Sequence, residues 1–167
     1  MYKIGDYVIH KRYVCKIVNI REKFFNDIDY FVLENIIDPS LSIMVPKNKE
    51  SILKPIMTKK EIEELLKKIP SIPVIDLKDE KSIENSYREL INTGEKEDLI
   101  KIIKSAYIRN QERVKLGKKA GEKDTSYLEM AENLLYNECA VSLGISLSEA
   151  KEYIIKKVEE YDKKSNQ

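Results

Sequence analysis

The chain has no tryptophan, one histidine, two cysteines, five glycines and five prolines in 167 residues. Each scarcity excludes something. Cys15 and Cys139 stand alone, without CxxC or Cys/His spacing and in apolar surroundings, so the sequence predicts two buried thiols and neither a zinc site nor a redox pair. His10 ends the alternating run YVIH with no nucleophile setting or acidic cluster beside it, which leaves no basis for a general base. So few glycines allow no phosphate-cradling loop, and GxxxxGK[ST], GxGxxG and HExxH are all missing. No stretch nears the roughly 20 apolar residues of a membrane span, and MYKIGDYVIH lacks the apolar core of a signal peptide. The expectation is a soluble, intracellular, non-enzymatic protein without metal or cofactor.

What is present is charge, and it is sorted. Net charge is only +1, yet Lys101–Lys123 holds eight Lys/Arg against Glu112 and Glu122, and Asp124–Asp162 holds nine acids against Lys151, Lys156 and Lys157. On a helix through this region Lys101, Lys104, Arg109, Arg113 and Lys115 fall largely away from the apolar stripe, and Lys118, Lys119 and Lys123 extend the ridge through a loop. Like charges four apart, such as Arg109 and Arg113, cost a few tenths of a kcal/mol, about 0.2–0.5, when nothing neutralises them. A polyanion removes that cost, and a cationic stripe suits a phosphate backbone that releases counterions. The alternative is a solvated helix face. With no recognition-helix signature and no aromatic RNP motif, backbone- or groove-directed DNA binding fits better than base reading.

Two periodicities divide the chain. Up to about Ile56, runs at 6–9, 14–20, 29–34, 41–45 and 51–53 alternate or are rich in β-branched residues, and turn-formers such as Asn26-Asp27 and Asp38-Pro39-Ser40 part them. Five short antiparallel strands predict a small bent barrel of the SH3 or Tudor kind with open edges. Beyond Pro55 the period becomes helical. Thr58 with Glu61 forms a capping-box pattern before Ile62, Leu65, Leu66 and Ile69; Pro70 stops that helix, and Ser71-Ile72-Pro73 reads as a connector. Further helices are predicted from Ser82 to Asn92, from Glu95 to Leu116 with Leu99, Ile102, Ile103, Ala106 and Tyr107 inward, from about Ser126 to Gly144, and from a Ser146/Glu149 capping box onward. The fold class is therefore α+β in two domains: a small barrel over residues 1–56, a helix and connector over 57–75, and an all-α bundle over 76–167.

The ordered landmarks Lys3-Ile4-Gly5-Asp6-Tyr7-Val8-Ile9, Met44-Val45-Pro46, Thr93-Gly94-Glu95 and Ala120-Gly121-Glu122-Lys123, followed by Ala131, Leu134-Leu135 and Glu138, resemble the CarD/CdnL family of bacterial transcription regulators. The barrel alone is also similar to the polymerase-interacting module of the transcription-repair coupling factor. The resemblance implies a monomeric cytoplasmic, nucleoid-associated factor. It would dock its Tudor-like domain on the RNA polymerase β subunit, lay its helical domain on promoter DNA and stabilise the open complex. It places docking on Ile43, Met44, Val45 and Pro46, with Lys23 on the neighbouring strand. Met44 stands where many relatives have Arg, which favours strand pairing over an ion pair. Relatives insert a Trp into the minor groove. Matching IENSYREL to that pattern puts Ile83 at the wedge, with Tyr87 and Arg88 following, whereas an ungapped count back from Thr93-Gly94 puts Glu80 there; Ile83 can equally be core. Arg109 and Lys123 match family DNA-contact positions. Two other classes stay open: an interaction scaffold that uses only the barrel edge, and an enzyme acting on nucleic acid.

Overall fold

The computed structural model describes residues 1–76 and 79–165, and its class is α+β: an antiparallel sheet followed by helices. The chain divides into two compact units, Met1–Thr58 and Lys59–Gln167.

In the first unit five strands, β1 (Tyr7–His10), β2 (Tyr13–Phe25), β3 (Ile28–Asn35), β4 (Ser42–Pro46) and β5 (Leu53–Pro55), lie in the order β4-β3-β2-β1-β5. Alternation turns one face inward, where Val8, Cys15, Ile17, Phe31, Leu33, Val45 and Leu53 form the core. Asn26 and Asp27, both at positive φ, make a two-residue hairpin loop closed by the Phe25/Ile28 pair. The second strand runs five residues beyond the predicted Ile20. Its register shifts between Arg21 and Phe25, where Lys23 takes a φ of 47°. Such a bulge leaves Phe24 and Phe25 outside the core, both exposed. Phe24 stands edge-on to Tyr30 at 5.4 Å, with the Arg21 guanidinium 5.3 Å from its ring centre.

The second unit contains α1 (Lys59–Lys68), α2 (Glu80–Thr93), α3 (Lys96–Lys115), α4 (Glu122–Leu143) and α5 (Leu147–Ser165). Helix α1, assigned with the connector from sequence, packs on α5 and α4 through buried Ile62, Leu65 and Leu66. Asp79 caps α2, accepting from the Ser82 amide and hydroxyl, and the predicted Ser146/Glu149 capping box forms reciprocally at 3.1 and 3.2 Å. Helix α4 begins four residues before the predicted Ser126, which moves Lys123 from the loop into the first helical turn. The inward stripe of α3 is also rotated: Leu99, Ile100, Ile102, Ser105 and Ala106 are buried, while Tyr107 is 54% exposed.

Helices α3 and α4 run antiparallel. Arg109 and Asn110 meet Asp124 and Thr125 at one end of the pair, and Lys96 meets Glu138 towards the other. The Lys96 ammonium lies 2.8 Å from the Glu138 carboxylate, whose side chain is only 3% exposed. Removing the cation from so buried a carboxylate is strongly destabilising, whereas replacing both partners by apolar groups is often neutral. Lys96→Ala is therefore expected to lower the unfolding free energy of the full chain by about 3 kcal/mol, and Lys96→Met/Glu138→Leu to recover most of it. Denaturant titration checks this; a single-variant loss below about 1 kcal/mol, the worth of a surface pair, would place the contact among ordinary surface ion pairs.

Candidate nucleic-acid interface and sheet edge

Strand β4 is an edge of the sheet, paired only with β3 in the strand order. The Asn35 amide donates to the Leu41 carbonyl at 3.2 Å, and the register pairs Leu33 with Ile43 and Phe31 with Val45. Since hydrogen-bonded pairs alternate in an antiparallel ladder, Ile43 and Val45 bond inward to β3 and the backbone N–H and C=O of Met44 turn to the free edge. Val45 is buried and Ile43 packs partly on the core, so Met44 projects on the opposite face. Pro46 ends the strand without an N–H to offer. Lys23 does not lie on the neighbouring strand as expected: β3 separates β2 from β4. Its amide donates to Asp29 at 2.9 Å, and its ammonium stands 3.9 Å from Asp27 with both side chains largely in solvent.

The helical candidates separate into three groups. Ile83 is 2% exposed and Tyr87 is fully buried, which corrects the exposed wedge expected there. An apolar residue on an amphipathic helix suits either a wedge or a core, and the packing of α2 on α3 and α4 makes these two core. The Tyr87 hydroxyl donates to Asp124 at 2.6 Å, and burial, with that carboxylate adding to it, holds the phenol well above its ordinary pKa. Arg88 is exposed, its guanidinium 3.4 Å from Glu84. Glu80, the other wedge position, opens α2; its side chain lies outside the described residues.

Lys101 and Lys104 occupy the first half of α3. Lys101 is half-exposed. The Lys104 ammonium donates to the carbonyls of Ile69 and Ile72 at 2.8 and 2.6 Å, satisfying the backbone where the chain leaves a short 3-10 turn at Ile69–Ser71. That role is structural.

Arg109, Arg113 and Lys123 come together with Gly121, Glu122 and Asp124 around a cleft of about 220 Å³ at the start of α4, which the buried Ile83 also lines. Helix α3 ends at Gly117 with a φ of 76°, and the Lys118 and Gly117 amides bond back to the carbonyls of Arg113 and Val114. This sharp end throws exposed Lys118 and Lys119 to the side of the cleft. Arg113 Nε holds the loop by donating to the Lys119 carbonyl at 3.0 Å. Arg109 Nε donates to Asp124 at 3.0 Å, and Lys123 bonds Glu84 at 2.5 Å, which holds the Glu84 carboxyl below the usual glutamate range. Gly121 must lack a side chain: its amide donates to Asn110 at 2.8 Å, and an added Cβ would sit 2.8 Å from Asp124 Oδ2. Asp124 and Glu84 are the residues sequence reasoning missed. Tyr87 reaches Asp124 across 37 residues and Lys123 reaches Glu84 across 39, each from another helix.

Among the described residues no three His, Cys, Asp or Glu side chains cluster as metal ligands would, and no helix is long and apolar enough to cross a membrane. Burial, then Lys11, lowers the His10 pKa, so the ring favours its neutral form. No family model matches the chain, and no curated protein matches its sequence.

If Ile83 is core, Ile83→Ala is expected to cost about 2–5 kcal/mol of stability through the cavity it leaves. Tyr87→Phe, which takes a donor from a buried carboxylate, is expected to cost about 1.5–3 kcal/mol. Thermal unfolding of both variants checks this, and an unchanged melting temperature for Ile83→Ala would return that residue to the surface.

Proposed function

We propose that this protein is a non-enzymatic transcription factor that pairs its β4 edge with the RNA polymerase β subunit and grips promoter DNA by its backbone. The observation that carries the DNA half is the convergence of Arg109, Arg113 and Lys123 on one cleft, with Lys118 and Lys119 beside it. Those cations also stand at the N-terminal end of α4, where the partial positive charge of a helix favours a phosphate oxygen. The cleft suits backbone contact, because its lining holds no aromatic platform and its Arg109 and Arg113 Nε groups are already engaged with Asp124 and the Lys119 carbonyl. With Ile83 and Tyr87 buried, α2 has no apolar wedge at those positions. Grip on the duplex then comes from charge, with Arg113, Lys123, Lys118, Lys119 and Arg88 at the contact and Arg109 supporting the site through Asp124. The polymerase half rests on the resemblance of the ordered landmarks to the CarD/CdnL family and on the outward backbone of Met44. The five-stranded order with a 3-10 turn at Lys47–Ile52 between β4 and β5 suits the Tudor-like reading of that docking domain. On this reading the chain is a two-domain monomer that works in the cytoplasm at the nucleoid.

A second reading, a scaffold using the sheet edge alone, draws on the internal engagement of Lys104, Arg109 and Lys123. Salt dependence separates the two. Arg113→Ala and Lys123→Ala are each expected to weaken promoter binding to a similar degree on unrelated sequences and to lower the slope of log affinity against log salt by about one contact. Unchanged slopes would favour the scaffold. For docking, Met44→Pro removes an outward donor and leaves the β3 ladder intact, so co-purification with the β subunit is expected to be lost in a protein that keeps its circular dichroism. A folded Met44→Pro protein that still co-purifies would sink the strand-pairing model. Open-complex lifetime with and without the full chain tests the whole proposal, and a lifetime unchanged at saturating protein rules it out.

A further inference from the structure

On the same unit, away from the basic cleft, α3, α4 and α5 leave a second cavity of about 520 Å³, within the ~300–1,000 Å³ of small-molecule sites. Buried Ile100, Leu135 and Ile154 form its floor, and half-buried Ile103, Leu128 and Val158 its walls. Four charged residues also border it: Lys104, Glu132, Lys151 and Glu159.

Their arrangement decides the sign of the ligand. The Lys104 ammonium is held by two backbone carbonyls. It has little capacity left for an incoming anion. Lys151 is 57% exposed and reaches Glu132 only at 4.0 Å, while the Glu132 side chain is 23% exposed and sits deeper. Burial pushes the Glu132 carboxyl up; Lys151 opposes and Glu129 adds to that rise. A carboxylate in this setting gains from a closer, better-desolvated cation than the one it has. A ligand carboxylate would instead meet Glu132 and Glu159 across an apolar floor, with only the outer Lys151 to answer it.

We infer that the cleft between α3, α4 and α5 binds a small apolar molecule bearing a single ammonium head, its hydrocarbon on Ile100, Leu135 and Ile154 and its head on Glu132. Lys151 swings into solvent as the head arrives, a movement its exposure permits. The site is independent of the DNA and polymerase contacts, so its failure would leave that reading untouched.

The probe is decylammonium, compared with decanoate and decanol below their aggregation concentrations, by titration calorimetry on the full chain. Saturable one-to-one binding of decylammonium is expected, with decanoate and decanol weaker by about tenfold or more, the scale of one partly desolvated ion pair. Glu132→Gln is expected to remove that preference. Ile155→Trp, a rim substitution at an exposed position, is expected to block binding with the circular dichroism unchanged. Methyl NMR of the unsubstituted protein gives a readout that does not depend on any variant folding: shifts on adding decylammonium should concentrate at Ile100, Ile103, Leu135 and Ile154. Equal or tighter binding of decanoate, no saturable binding, binding unaffected by a folded Ile155→Trp protein, or shifts centred elsewhere would each overturn the assignment.

Discussion

A carboxylate taken out of water at the start of a helix must be met by donors, and the donors that meet Asp124 come from different helices. Tyr87 arrives from α2 and Arg109 from α3, while Asp124 itself belongs to the first turn of α4. In low dielectric such a network tolerates little displacement, because an unanswered buried charge costs several kcal/mol. Asp124 thereby sets where α4 begins relative to the end of α3. The cationic cleft is a result of that placement: Arg113 and Lys123 flank the same carboxylate, and the loop between them is short and held by its own hydrogen bonds. A buried acid thereby gathers basic side chains around itself.

The same economy recurs across the second unit. Long cationic side chains satisfy backbone or buried acids with their heads: Lys104 at the exit of the 3-10 turn, Lys96 on Glu138, and Arg113 on the loop carbonyl. A basic face on this protein is consequently a mixture of structural and available cations, and charge counting along the sequence overstates the second kind. Lys118 and Lys119 remain exposed, which concentrates accessible positive charge at the α3–α4 connection.

The alternation of Cys15 with Ile17 and of Phe31 with Leu33 made the strands legible, and the capping box at Ser146/Glu149 marked the start of the last helix. Local physics governs both. The end of β2 escaped because a register shift with Lys23 at positive φ breaks the alternation on which strand assignment relies. Ile83 and Tyr87 were readable as apolar members of a helix face but not as inside or outside, since that depends on what α2 packs against. The basic ridge was visible as composition. Its division into committed and available members was not, because Arg109 and Lys123 find their carboxylates through tertiary packing that no local spacing announces.

The first unit carries a consequence for the protein as a solute. A sheet ending in two free edges offers a template to any extended chain, including other copies of itself. Here each edge strand closes on a proline, Pro46 in β4 and Pro55 in β5, and Lys54 places a charge on the second edge. A proline cannot complete a ladder, so a registered pairing with an identical edge is cut short where it would need to propagate. What survives is a stretch a few residues long around Met44. That is enough for one partner strand that brings its own side-chain contacts, and too little for a growing fibre.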